Sequence, residues 1–542
     1  MAKKISVLLL AICLLFSFAA CGSKTVKVKD DSLASVASNG GFLVETGKYV
    51  YFINGVESYS TTYKEGKVTK GALMRTEKAN LAKLGDESVT YDTIVSRLVV
   101  SDDKNAGVYL YGEYFYYAVP SDENNKKGEV KNDQLKFLRT KADGSSTSSS
   151  ITKKDFSHDA QYRFVQKGSN VYLIVYSTGL YVYDAVNCKL LNSYEDKTSS
   201  IQEILFDEEN NGDVFYRIKP VNGSVYGEDS ENKTTENFNF VYKLVLGESS
   251  ATADFELVLD GTGKKTPGMG SGDCAFLTGA TFDLIRYTGG KLYFSLTSLD
   301  SSLSSLTEYR AVAAADLKES NAKKITSLGT LMNEGDYNAS KVFADGTMIL
   351  SENSILFVGD DGLMVYDYSK KTDKNTDLGA SFVYDSENIK SATLDFIKKE
   401  GEHDFLYYHK EKVYYKVDLT DVLSGNVKAE EFRINKVDVN TDWYKPEVVA
   451  VEVSGATHYM FIAAYNDTDY LSYVNVIDMT EEKAAYEEYI KDLTSDEDKA
   501  KFYTEDLPDT AAKKYEAMKN SMLGKLSSDD QKTVDGESAK TK

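Results

Sequence analysis

The sequence predicts a mainly β chain assembled from a recurring antiparallel unit, and three observations carry that expectation. Its 542 residues include 39 Tyr and 24 Phe against 5 Pro and 1 Trp, a mixture that suits strands. Few helix-like periods occur before Met479, which together with the aromatic and β-branched enrichment favours strands. One Tyr-rich strand pattern also returns again and again along the chain.

The first element is an export signal, residues 1–20. Lys3 and Lys4 form a positive start, Val7 to Phe18 an apolar run, and Ala19-Ala20 a small-residue site before Cys21-Gly22. The run is shorter than the roughly 20 apolar residues that span a bilayer as a helix. The tetrad Phe18-Ala19-Ala20-Cys21 resembles the bacterial lipobox, with Phe18 where Leu is most usual. That resemblance implies cleavage before Cys21, a thioether-linked diacylglycerol on its sulfur, and a mature protein held to the membrane through that lipid. Two acyl chains suffice where one gives only marginal binding. Gly22 is not the Asp of inner-membrane retention, and the expected location is extracytoplasmic, on the outer face of the cytoplasmic membrane in a one-membrane cell.

Residues 21–40 form a polar spacer, within which Thr25-Val26-Lys27-Val28-Lys29 alternates like a strand. Residues 41–479 carry the repeat. Its members begin with Lys48 to Ile53, Gly107 to Tyr111, Asn170 to Val175 and Asp213 to Tyr216. They continue with Lys291 to Ser295, Ser354 to Val358, Asp404 to Tyr408 and His458 to Ile462. Intervals of about 40 to 80 residues point to propellers or solenoids. Companion strands follow, among them Gly179 to Asp184, Gly362 to Asp367 and Lys412 to Asp418. Leu73-Met74-Arg75-Thr76 is echoed by Phe137-Leu138-Arg139-Thr140. The expected fold is a single β-propeller of about seven to eight antiparallel blades, followed by a short C-terminal helical segment. Tandem β-sandwiches are the competing arrangement. The stretch Gly261 to Gly272 is the one plausible boundary, and it reads as a loop within a repeat.

Leu180-Tyr181-Val182-Tyr183-Asp184-Ala185 followed by Lys189-Leu190-Leu191 is similar to the repeat of quinoprotein-like and TolB-type propellers. In that repeat a strand ending in Asp-Ala turns tightly into a Lys-x-Leu strand. Asn187-Cys188 replaces the usual Thr-Gly, so the resemblance implies the fold and no cofactor.

Past Met479 the period becomes helical. Asp478 or Thr480 caps, Glu481 and Glu482 suit the positive helix end, and Tyr486, Tyr489, Ile490 and Leu493 share a face. A second helix is expected from Asp509 to about Leu526. The helical region spans 480–526, and the polar residues 527–542 form a disordered tail.

Charge narrows the function. Loss of Lys3 and Lys4 with the signal takes the net charge from −21 to −23, which argues against nucleic acid and anionic surfaces. Of four Cys, Cys13 leaves with the signal and Cys21 is lipidated, leaving Cys188 and Cys274. No CxxC pair is present, and four His make a histidine-rich metal site improbable. Asp207, Glu209, Asn211 and Asp213 alternate as in a calcium loop around Gly212, but Ile218 stands where the closing bidentate Glu belongs. Gly268, Gly270 and Gly272 lack the strand-to-helix setting and Lys of a phosphate loop. There is no GxSxG elbow, and 84 acidic residues make any carboxylate pair unspecific. No catalytic residue stands out. The expected function is a non-catalytic binding or scaffold module with a protein or glycan partner in the cell envelope. The alternative is an extracytoplasmic carbohydrate-active enzyme using acids in the propeller channel. A solute receptor would show alternating βα units, which are missing.

Overall fold

The computed structural model describes most of residues 43–480, leaving out intervening stretches of which 54–72, 221–239 and 261–280 are the longest. The expected signal segment, Cys21, the expected spacer, the region 480–526 expected to be helical (from residue 481 on) and the tail lie outside the described residues.

Among the described residues eight antiparallel sheets follow one another along the chain, each a simple meander. Blade 1 is β1 (Leu43–Glu45), β2 (Tyr49–Ile53), β3 (Leu73–Glu77) and β4 (Asp92–Val95). Blade 2 is β5 (Tyr109–Tyr111), β6 (Tyr114–Pro120), β7 (Gln134–Lys141) and β8 (Ser149–Ser150), with β9 (Phe156–Ser157) also paired to β7. Blade 3 is β10 (Gln161–Lys167), β11 (Asn170–Tyr176), β12 (Gly179–Asp184) and β13 (Lys189–Glu195). Blade 4 is β14 (Ser199–Phe206), β15 (Val214–Pro220), β16 (Phe240–Leu246) and β17 (Ala253–Asp260). Blade 5 is β18 (Thr281–Thr288), β19 (Lys291–Leu299), β20 (Ser305–Ala313) and β21 (Met332–Asn333). Blade 6 is β22 (Met348–Ser351), β23 (Ser354–Gly359), β24 (Gly362–Asp367) and β25 (Ala380–Tyr384). Blade 7 is β26 (Thr393–Glu400), β27 (His403–Lys410), β28 (Val413–Asp418) and β29 (Glu431–Arg433), with the short helix α1 (Leu419–Leu423) before its outer strand. The eighth sheet has three strands, β30 (Trp443–Val453), β31 (Ala456–Asn466) and β32 (Ser472–Asp478).

Among the described residues the result is a β-propeller of seven four-stranded blades and an eighth sheet of three strands, and not a row of sandwiches. First strands of neighbouring blades meet, β14 with β18 and β26 with β30, so they form the inner wall. The ring closes where β32 meets β2 and the 3-10 helix Lys78–Lys83 lies on β30. Each inner strand begins on one face of the ring, here the entry face, and the even number of strands in a complete blade returns the chain to it. Residues 261–280 therefore join the outer strand of blade 4 to the inner strand of blade 5.

Both surfaces of a blade are buried, which accounts for continuous aromatic runs in place of a simple apolar-polar alternation. In β6, Phe115 and Tyr117 pack toward blade 1 while Tyr116 and Ala118 pack toward blade 3. In β27, Leu406 and Tyr408 face blade 6 while Tyr407 faces blade 8. Large rings fill the wedges between blades, each removing roughly 150–250 Å² from water. The two echoed segments are the third strands of blades 1 and 2, and they repeat a contact: Arg75 lies 3.9 Å over the Tyr49 ring and Arg139 4.9 Å over Tyr114. Gly179 and Gly362 open the third strands of blades 3 and 6. A Cβ at either would sit 2.5 Å from the carbonyl oxygen of a tyrosine on the outer strand, Tyr194 or Tyr384. Among the described residues no helix is long and apolar enough to cross a membrane.

Candidate functional site

The inner strands of blades 4, 5 and 7 carry the charged side chains that a channel would present. Glu203 on β14 and Asp283 on β18 approach one guanidinium, that of Arg217 on β15. Arg217 donates to both Glu203 oxygens, at 2.6 and 3.1 Å, and its Nη2 lies 3.4 Å from Asp283. The backbone N–H of Leu284 donates to Glu203 Oε2 at 2.7 Å, tying blade 5 to blade 4. Burial and then the Glu203 charge raise the Asp283 carboxyl above its ordinary range, and Arg217 opposes the shift.

Three residues along β18, Arg286 spans three blades. Its Nε and Nη2 donate to Glu208 of blade 4 at 2.9 and 2.5 Å, and Nη1 donates to the carbonyl of Thr347, just before β22, at 2.9 Å. The bidentate fork fixes orientation as well as distance. On blade 7, His409 Nδ1 lies 2.9 Å from each oxygen of Asp395, whose carboxyl is raised by burial against the opposing pull of the imidazole.

The opposite face of blades 7 and 8 holds a second polar group. Lys416 Nζ lies 2.7 Å from Glu400 Oε2 and 4.4 Å from the centre of the Phe405 ring. The Tyr407 hydroxyl donates to Glu400 as well. His403 Nδ1 contacts Asp418 at 2.6 Å and His458 Nδ1 contacts Asp478 at 2.8 Å.

These arrangements are struts. Glu203 has both oxygens engaged by Arg217, one of them also by a backbone N–H. Among the described residues, every histidine meets an aspartate and none a Ser, Thr or Cys, so no nucleophilic triad is assembled. No cluster of three metal-ligating side chains occurs among the described residues. Of the calcium-loop candidates, Asp207 and Asp213 meet at the ends of the β14–β15 turn, where the Asp207 N–H donates to the Asp213 carbonyl at 3.0 Å. Asp213 turns its carboxylate to blade 5 and β16, taking a 2.9 Å bond from the Tyr287 hydroxyl and lying 3.1 Å from Lys243. Glu209 and Asn211 lie outside the described residues, as do Cys21 and Cys274. Cys188 is half-buried in the turn after β12 at a φ of 54°. There Asp184 accepts from the backbone of Val186 and Asn187, both at 2.9 Å.

Glu203, Asp283, Arg286 and Asp395 were not singled out by sequence reasoning. Their partners lie on other strands or blades, and no local spacing marks them; the one available signal was charge within otherwise apolar inner strands.

No family model and no curated protein matches this sequence. Among solved structures, similarity extends to a prolyl endopeptidase at 15% identity over 81% of this chain and 55% of that one, with a TM-score of 0.34. A puromycin-hydrolysing peptidase of Mycobacterium tuberculosis aligns at 11% identity over 83% of this chain and 62% of that one, TM-score 0.31. A chain of the mitotic checkpoint complex aligns at 8% identity over 70% and 88%, TM-score 0.31. The chain thus spans about half to three fifths of the two peptidases' length, and likeness at this level carries no functional argument.

Proposed function

We propose that this chain is a cell-envelope lipoprotein, anchored through lipid on Cys21, whose propeller acts as a non-catalytic binding or scaffold module for a protein or glycan. The observation that supports it best is that both oxygens of the Glu203 carboxylate on the inner wall are engaged, by Arg217 and by the Leu284 N–H. A group so committed stiffens the ring and is ill suited to moving protons. A rigid ring of repeated blades then offers its loops as a fixed surface. The Asp184-Ala185 turn keeps the resemblance to quinoprotein-like repeats at the level of fold.

Two measurements test this reading. Labelling with a fatty-acid analogue should be lost on Cys21→Ala, and retained labelling would refute the anchor. In-cell crosslinking with mass spectrometry should return a reproducible envelope partner, and a consistent blank would count against the scaffold. The raised carboxyl of Asp283 beside Glu203 favours the second reading, an extracytoplasmic carbohydrate-active enzyme. That reading requires hydrolysis of a glycan that Asp283→Asn abolishes.

A further inference from the structure

Blades 1 and 2 repeat one arrangement of side chains at the face opposite the entry face. In blade 1, Arg75 stands opposite Tyr51 in the β2–β3 register, and in blade 2 Arg139 stands opposite Tyr116 in the β6–β7 register. Each guanidinium donates to that tyrosine's hydroxyl and lies over the ring of the tyrosine two residues earlier, Tyr49 or Tyr114. Beside each ring sits an ion pair, and its signs are exchanged between the blades: Lys48 with Glu77 at 2.6 Å in blade 1, Glu113 with Lys141 at 3.7 Å in blade 2. The two pairs hold the same places, since Tyr49 faces Glu77 and Tyr114 faces Lys141.

The blades part at the outer strand. Asp92 stands opposite Arg75 and accepts from its Nε and Nη2 at 3.2 and 2.7 Å, whereas Ser149 stands opposite Arg139. In blade 1, Lys48 and Arg75 are balanced by Glu77 and Asp92; in blade 2, Arg139 and Lys141 face Glu113 alone, which leaves one positive charge over in a chain of net charge −21. The Arg139 Nε, equivalent to an atom that Asp92 holds in blade 1, is buried with no hydrogen-bond partner. Arg75 leaves its Nη1 without one, but its Nε and Nη2 are held. Two acids nearby are committed elsewhere. Glu113 lies against Lys141, and Asp184 of blade 3, whose charge reaches Tyr116, accepts from the N–H groups of Val186 and Asn187. A half-buried guanidinium without a counter-charge keeps a desolvation cost that an anion relieves. Both residues of β8 are exposed, so a group from outside can reach Ser149.

We propose that the outer edge of blade 2 binds the carboxylate of an acidic sugar, a uronate, with Arg139 as its receptor and Ser149 hydrogen-bonding a ring hydroxyl. Blade 1 carries the same frame with its own carboxylate built in, and blade 2 takes that group from a ligand. One surplus charge matches one carboxylate better than a doubly charged phosphate. The planar guanidinium suits a carboxylate in geometry as well as charge, and the Ser149 hydroxyl beside it suits a ligand rich in hydroxyls. The choice of a sugar acid over an acidic protein side chain rests on the glycan reading given above, while the carboxylate site itself does not.

Titration of the full chain with methyl glucuronide tests the site, read at the Arg139 Nε–H in proton–nitrogen correlation spectra and assigned through Arg139→Lys. Methyl glucoside, N-acetylglutamate and inorganic phosphate are titrated in parallel. A saturable shift with the glucuronide and none with the glucoside is expected, and no shift with either carboxylate would overturn the site. Ser149→Asp puts the acid of blade 1 opposite Arg139 and should weaken glucuronide binding by about tenfold or more. Unchanged binding in that variant would overturn the assignment. Asp92→Ser copies the blade 2 pattern into blade 1 and should add a second saturable shift, at Arg75; a folded variant that gains none would contradict the inference from blade 1. Tighter binding of N-acetylglutamate would give the site to an acidic protein segment, and tighter binding of phosphate to a phosphoryl group, and either result overturns the sugar acid. Glucuronide binding with a blank in the crosslinking would keep the site and remove the scaffold reading. A crosslinked partner without glucuronide binding would do the opposite.

Discussion

Lys416 and Glu400 form an ion pair 2.7 Å long inside blade 7, with side-chain exposures of 11% and 5%, on the surface that blade 7 turns toward blade 8. Removing one partner of such a pair strands the other charge, at a cost of about 3–5 kcal/mol. Lys416→Met should therefore lower stability by about that amount in urea titration. Lys416→Met combined with Glu400→Gln should recover a large part, because no charge is then left alone. Equal losses in the single and double variants would contradict the strut role.

Arg286 joins blades 4, 5 and 6 through a fork to Glu208 and a bond to the Thr347 carbonyl. Arg286→Lys keeps the charge and loses the fork. It should lose about 1–3 kcal/mol by urea titration, with faster amide exchange at the blade 5 to 6 junction. A variant indistinguishable from wild type would show that the fork adds nothing to blade registration.

Burial holds the phenols of Tyr116, Tyr183 and Tyr384 up to about 12, above their ordinary value of 10. The Tyr384 shift has burial as its largest cause, followed by the Glu431 charge. An unfolded chain ionises these groups first, so the stability they contribute is intact below pH 10 and is lost as pH rises through 12. The urea midpoint should fall steeply over that window. Tyr116→Phe should reduce the slope by about 1.4 kcal/mol per pH unit, and an unchanged slope would contradict burial as the source of the shift.

Gly179 and Gly362 leave no room for a side chain, since a Cβ would meet a backbone carbonyl at 2.5 Å. Gly179→Ala and Gly362→Ala should each cost about 1–3 kcal/mol through forced backbone movement. Gly112 has nothing within 4 Å of its Cβ position but a φ of +58°, so Gly112→Ala should cost only about 1 kcal/mol. A larger loss at Gly112 than at Gly179, by thermal unfolding, would contradict this ordering.

The repeat was legible because of where its members lie. Seven of the eight strands read from sequence are second strands of their blades, from β2 through β31, and the eighth is β5, the inner strand of blade 2. The companions Gly179 to Asp184, Gly362 to Asp367 and Lys412 to Asp418 are third strands. Second and third strands pack on both sides, so their side chains must be apolar and the pattern survives in the sequence. The inner strands β14, β18 and β26 escaped notice because they mix apolar residues with Glu203, Asp283, Arg286 and Asp395, and because bulges shift their register, as between Ile201 and Glu203 or Leu284 and Arg286. Outer strands such as β21, two residues long, offer too little pattern. The struts were illegible for a related reason: Leu284 and Glu203 are 81 residues apart, and the fold alone brings them together.

The claim that this propeller binds without catalysing is tested most directly by incubating it with a broad glycan panel, alongside Glu203→Gln and Asp283→Asn variants whose thermal stability is followed in parallel. The account predicts no hydrolysis by any of the three proteins, with Glu203→Gln losing stability because Arg217 and the Leu284 N–H lose their charged acceptor. Hydrolysis by the wild-type chain that disappears in Asp283→Asn at unchanged stability would contradict it.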